Sequence, residues 1–137
     1  MGFTVPPSLE DVQEIAEAII DELPQGLQKY VSKLQVTVED FPDDFITQEL
    51  EVETPFDLLG YYQSAGPAAA HVKRQDVICL YRRPILDAWA DTGEDLTRLI
   101  NKVILTEIGH HFGFSEGDMQ MYEEDMFGAT ASNIGAG

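Results

Sequence analysis

The sequence predicts an α+β domain: a small sheet backed by helices, with one long helix buried in the core. Apolar residues recur at helical spacing near the start of the chain and again in its last third. Between these regions lie three short runs with the alternating or continuous apolar pattern of strands. The 137 residues, 44% of them apolar, suffice for one compact domain and are too few for two of ordinary size.

The first half of the chain supplies two helices and two strands. In "SLEDVQEIAEAIIDELP" apolar residues recur at helical spacing, with Ser8 as N-cap and Pro24 as the stop. A short helical stretch follows and leads into "LQVTVEDF", where apolar and polar residues alternate as in a half-buried strand. After an acidic break, "TPFDLLGYYQ" predicts a helical turn that ends at Gly60 and a strand that begins at Tyr61.

The second half supplies a third strand and three helices. A loop rich in small residues precedes "DVICLYRRPI", an apolar strand whose end Pro84 marks. A short helix, "ILDAWADTG", comes next. Thr92 and Asp95 then have the spacing of a capping box for a long helix from about Leu96 to Phe112.

The same spacing, Ser115 with Asp118, predicts one more helix after the long one. The last residues are small and uncharged, with little to pack against the core. We therefore predict one domain over residues 1–126, followed by a flexible C-terminal tail over residues 127–137.

The composition excludes several classes of partner. Lys and Arg number 8 against 25 Asp and Glu, which gives a formal net charge of -17. Phosphate backbones and anionic lipid headgroups repel such an acidic surface. We therefore expect neither nucleic acid nor membrane as a partner. No apolar run approaches the roughly 20 residues that span a bilayer. The first residues also have no signal-peptide pattern, and we expect a cytoplasmic protein.

The predicted long helix carries polar side chains that need an explanation. Thr106 and His110 are four residues apart and therefore lie on one face, and Glu107 and His111 form a second such pair about 100° around the axis. Gly113 follows where a left-handed residue would end the helix. Two His at such a spacing, with a Glu after the first, are typical of a catalytic zinc site, and a third ligand must come from beyond the helix.

The segment "TEIGHHFGFSE" resembles the active-site helix of the zincin metallopeptidases. More narrowly, the chain resembles the minimal zincin-like metallopeptidase-family proteins of bacteria, whose motif is His-Glu-x-x-His-x-x-Gly-x-x-Asp. The likeness covers nearly the whole chain through the blocks "PPSLEDV", "VEDF", "PFDLLGYYQ", "LYRRPILDAW" and "EIGHHFGFSEGDM", in that order. It implies a compact zincin-like domain with a buried active-site helix, zinc as the cofactor and a peptide as the substrate.

The resemblance also implies a role for each motif position. Glu107 stands at the general base, His110 at the second His ligand, Gly113 at the turn glycine, and Glu116 at the third metal ligand, usually Asp. Thr106 stands where the family has its first His ligand. Glu for Asp keeps a carboxylate, but Thr for His replaces a nitrogen donor with a neutral hydroxyl, which is a weak zinc ligand.

Three interpretations of this difference stay open. The first is a zincin-like metallopeptidase-family protein with an incomplete zinc site, weak metal binding and little peptidase activity. The second is a module that binds a peptide or protein in the former substrate cleft without cutting it. The third is an active hydrolase in which His71, or an unusual coordination geometry, completes the metal site. We expect His111 to be a partner of Glu107 rather than a ligand, because adjacent helical side chains diverge by about 100°.

Overall fold

A computed structural model of the protein describes residues 6–31, 34–64 and 76–128. Its elements, in chain order, are α1 (Leu9–Asp21), α2 (Gln25–Val31), β1 (Gln35–Glu39), α3 (Asp44–Glu49), a 3-10 turn (Pro55–Asp57), β2 (Gly60–Gln63), β3 (Val77–Tyr81), α4 (Arg82–Thr92), α5 (Leu96–Phe112), α6 (Glu116–Glu123) and a π-helical turn (Glu124–Gly128). The predicted α+β class is confirmed. Within the described ranges, no helix is long and apolar enough to cross a bilayer. The tail from residue 129 lies outside the description, so its predicted flexibility stays a prediction.

Two predicted helix starts have the expected caps. The Ser8 hydroxyl accepts the Asp11 N–H at 3.1 Å, and the Asp11 carboxylate accepts the Ser8 N–H at 2.9 Å. Ser115 and Asp118 make the same reciprocal pair at the start of α6. Each pair satisfies backbone donors that a helix start otherwise leaves unpaired, so short-range sequence alone sets these two boundaries.

The start of α5 differs in detail from the prediction. Asp95 is the N-cap, and its carboxylate accepts the Arg98 N–H at 3.1 Å. The Thr92 hydroxyl instead accepts the Glu94 N–H in the preceding turn. Thr92 is the last residue of α4, which ends at a left-handed Gly93, so it lies too early in the chain to cap α5.

Two further boundaries depart from the sequence prediction. Helix α3 lies in the acidic region that we predicted as a break, and the Asp43 carboxylate caps it by accepting the Ile46 N–H at 2.8 Å. Pro84 does not mark the end of a strand but lies in the first turn of α4, after β3 has ended at Tyr81. A proline fits there because the first-turn N–H groups of a helix have no intrahelical partner.

Within residues 34–64 and 76–128, the sheet has three strands in the order β1–β3–β2, so β2 lies at one edge. β1 runs parallel to the central strand β3, with Val36 opposite Ile78, and β2 runs antiparallel to it, with Tyr62 also opposite Ile78. Helix α1 packs against β1, and α5 packs against β2. Because β2 is an edge strand, one row of its backbone groups faces away from the sheet.

Helix α5 is the centre of the hydrophobic core, as its apolar pattern predicted. Ile100, Ile104 and Ile108 on this helix are fully buried. The core around them combines side chains from α1, α2, all three strands and α4. Asn101 is an exception on the same helix: it is fully buried, and neither atom of its amide has a hydrogen-bond partner in the described part of the chain.

Candidate functional site

The motif residues lie on the C-terminal half of α5, beside a shallow groove of about 480 Å³. The groove is lined by Leu50, Leu58, Tyr61, Tyr62, Glu107, His110 and His111. Three elements therefore form it: the region after α3, the edge strand β2 and the polar face of α5. Thr106 and His110 are exposed, whereas Glu107 is half-buried.

Among the residues that line the groove, Glu107 is the one carboxylic acid, and its acidity is altered. Burial raises the pKa of its carboxyl to about 7, and a hydrogen bond accepted from the backbone of Tyr62 opposes this rise without cancelling it. A carboxyl whose pKa lies near 7 can both accept and release a proton at neutral pH, which is what general acid–base chemistry requires. A pKa of about 7 is compatible with the role of general base that the resemblance implies for Glu107.

The close packing of β2 on α5 brings the Tyr62 backbone to Glu107. Gly60, the first residue of β2, is buried, and a Cβ there would lie 2.9 Å from a methyl carbon of Val103 on α5. Such a separation is shorter than side-chain contacts allow, so only glycine fits at this approach. The strand–helix distance, and with it the bond to Glu107, depends on this position.

Tyr62 connects the groove to the core. Its ring is buried, and the imidazole of His111 stacks on it with centroids 4.0 Å apart and planes inclined by 16°. Its hydroxyl donates to the Asp76 carboxylate at 2.6 Å. Burial raises the pKa of this hydroxyl far above its usual range, and the bond to Asp76 adds to the effect. We expected His111 to be a partner of Glu107, but among the described residues no hydrogen bond or ion pair joins the two, and the exposed imidazole of His111 stacks on Tyr62.

The turn after α5 has the predicted left-handed glycine. Gly113 has φ 73° and ψ 33°, its N–H bonds to the Gly109 carbonyl, and the Phe114 N–H bonds to the same oxygen at 2.9 Å. This is the hydrogen-bond pattern that ends a helix at a residue with positive φ. The Phe114 ring then packs on Tyr30 and Tyr122, with centroids 5.2 and 5.8 Å apart, which fixes the direction of the chain into α6.

Glu116 is the first residue of α6 and is exposed. It does not line the groove that contains Glu107 and His110. Among the described residues, no group of three or more His, Cys, Asp and Glu side chains is placed to hold a metal ion. His71 lies outside the described ranges. The described side chains therefore do not fit a zinc ion that needs three protein ligands.

A larger cavity of about 530 Å³ lies elsewhere, between α1 and the turn that joins α4 to α5. Three of its four carboxylates have structural roles: Asp11 and Asp95 cap helices, and Glu94 pairs with Lys102 at 2.6 Å. Trp89 and Leu96 contribute apolar wall. We place the candidate site at the smaller groove, since that is where the altered acidity of Glu107 and the motif histidines coincide.

The fold and the motif helix together define an α+β protein of the metallopeptidase type. The model of a protein family described as zincin-like metallopeptidase matches residues 31–126, which is more than half of the chain. The chain therefore belongs to the zincin-like metallopeptidase family. A comparison with curated proteins gave no match.

Proposed function

We propose that this zincin-like protein has an incomplete zinc site, binds zinc weakly and has little or no peptidase activity. The proposal is supported by the side chains around His110. Thr106 presents a hydroxyl where the family has an imidazole, and no group of three or more candidate ligands gathers among the described residues. A site with two protein ligands leaves a zinc ion too weakly held to activate water.

The test is to restore the missing ligand. In Thr106→His, imidazoles at 106 and 110 lie one helical turn apart beside Glu107, and Glu116 stands at the motif position of the third ligand. We expect the parent to carry well under one zinc per chain after dialysis against a mild chelator, and the variant to bind zinc more tightly. Zinc content and calorimetric titration measure both. A matched control, Thr97→His on the exposed start of α5, should bind no better than the parent.

Two results would contradict the proposal. Stoichiometric zinc in the dialysed parent would mean that the site is complete. His71 would then be the first residue to substitute in order to find the additional ligand. A folded Thr106→His variant that binds zinc no better than the parent would mean that residues 106, 110 and 116 do not converge on one ion.

A second candidate function is peptide binding without cleavage. It is favoured by the groove itself, which keeps apolar walls from Leu50 and Leu58 next to the edge strand β2. An extended peptide can add to such an edge through backbone hydrogen bonds. To test this function, peptide affinity is measured on zinc-free protein. Binding of a peptide that is not cleaved, together with loss of that binding in Leu58→Asp, would support the function. Binding that requires zinc would oppose it.

A further inference from the structure

Exposed apolar side chains concentrate on one segment, residues 39–57, which contains α3 and the turns on either side of it. Among the described residues, seven large hydrophobic side chains are exposed, and four of them belong to this segment: Phe41, Phe45, Leu50 and Phe56. Phe45 on α3 is 72% exposed. Phe41 and Phe56 meet edge to face, with centroids 5.2 Å apart, so the turns before and after α3 form one surface. Apolar side chains clustered in this way commonly mark an interaction site.

The same segment is strongly acidic. It contains eight Asp and Glu residues and no Lys or Arg, and all eight are exposed. Their positions are Glu39, Asp40, Asp43, Asp44, Glu49, Glu51, Glu53 and Asp57. Among the described residues, one ion pair to this segment is present, between Asp40 and Arg82 at 2.9 Å. Nearly half of the chain's net charge of -17 therefore surrounds these apolar side chains.

The backbone at Glu51 fits the same interpretation. Its φ is 54°, and the Val52 N–H bonds to the Thr47 carbonyl, so Glu51 occupies the left-handed position at the end of α3 that glycine normally takes. An acidic side chain costs conformational free energy there. The position is thus occupied by a residue that adds charge to the surface rather than by one that suits the turn.

We propose that residues 39–57 form a docking surface for a basic peptide segment of another protein, one that combines Lys or Arg with Leu or aromatic side chains. The apolar side chains supply the contact area, and the eight exposed carboxylates select a partner of opposite charge and speed its approach. A second copy of this chain would bring eight carboxylates against eight, so charge disfavours self-association through this surface. The surface includes no residue of the zinc motif, and the proposal does not depend on whether His110 binds metal.

The surface is continuous with the groove. Leu50 is exposed at the end of α3 and also lines the groove, and Leu58, just beyond the segment, lines it as well. A peptide bound on Phe45 and Leu50 can therefore extend toward Tyr61 on the edge strand. This continuity predicts the class of peptide that reaches the groove: one with a basic, apolar portion on the α3 side.

The test uses the full-length protein and a labelled 14-residue peptide of Lys and Leu, with Leu at helical spacing. A second peptide replaces each Leu with Ser, and a third replaces each Lys with Glu. We expect the first peptide to bind most tightly, to weaken as salt rises, and to shift backbone amide signals chiefly in residues 39–57. Phe45→Ser should weaken binding at least tenfold, whereas Met121→Ser, at another exposed apolar residue, should change it less than twofold.

Two triple variants distinguish the effect of the charges on this surface from the effect of the net charge of the protein. Glu49→Gln, Glu51→Gln and Glu53→Gln together remove three charges from the surface; Glu10→Gln, Glu14→Gln and Glu17→Gln remove three from the exposed side of α1. The first triple should weaken binding at least fivefold and the second should not. Equal effects of the two triples, equal binding of the Ser peptide, or no binding would overturn the proposal. A dimer that Phe45→Ser dissociates would assign the surface to self-association instead.

Discussion

Replacing Glu107 with Gln should stabilise the folded protein at pH 7 and above. Folding raises the pKa of Glu107 from 4.5 to about 7, so in this interval the folded chain holds a proton that the unfolded chain has released. The stability linked to that proton is fully present below pH 4.5 and is lost as the pH rises through 7. Gln does not titrate, and its side-chain oxygen can still accept the Tyr62 N–H. The free energy of unfolding of the variant should therefore not fall as the pH rises through 7.

The expected magnitude follows from the size of the pKa difference. A difference of about 2.5 units corresponds to about 3.4 kcal/mol at about 1.36 kcal/mol per unit. Since the carboxyl is partly open to solvent in the groove, we expect a gain of about 2 kcal/mol at pH 8 and less than about 1 kcal/mol at pH 5. For a domain of this size, 2 kcal/mol raises the melting temperature by about 7 °C.

Urea unfolding of the parent and the variant between pH 5 and pH 8, followed by the fluorescence of the single tryptophan Trp89, measures this difference. Glu17→Gln on the exposed side of α1 makes the same change in net charge and serves as the control. A gain that is equal at both ends of the pH range, or absent at pH 8, would refute the argument that burial of Glu107 raises its pKa.

Three other predictions concern stability. Gly113→Val should lower the free energy of unfolding by about 1–2 kcal/mol through backbone strain alone, since no atom lies within 4 Å of a Cβ there; a neutral result would contradict the left-handed turn. Asn101→Leu should raise the free energy of unfolding by about 1–3 kcal/mol in urea, because it removes a buried amide without partners; a loss would reveal a bond that the amide makes. EDTA should leave the melting temperature unchanged within about 1 °C, because apolar side chains of α1, α5 and the strands supply a core of their own, whereas a bound structural ion would add several kcal/mol.

Local signals in the sequence predicted most of the helices. Ser8 and Ser115 each have the acid three residues later that completes a capping box, so nothing outside the next turn is needed to find these starts. Pro84 shows the limit of such signals, because proline is compatible both with the end of a strand and with the first turn of a helix. We did not predict helix α3, because six residues are too few to show a helical period.

The sequence selected two residues that line the candidate groove, but it did not predict their contacts. The spacing of the motif on α5 was enough to select Glu107 and His110. The carboxylate's partner, however, is the backbone of β2, which is more than 40 residues away along the chain and is brought there by sheet pairing and by Gly60. Nothing near residue 107 encodes that contact. The stacking of His111 on Tyr62 depends on the same long-range packing and was missed for the same reason.

Tyr62 constrains how the protein can change over evolutionary time. Its ring is part of the core, its backbone holds Glu107, its hydroxyl binds Asp76 and its outer face supports His111. Mutations that removed this residue would be eliminated for their effect on folding, whatever the groove does. Selection for a stable fold thus also preserves one wall of the groove. A lineage that lost peptidase activity would therefore retain the groove as a possible binding site.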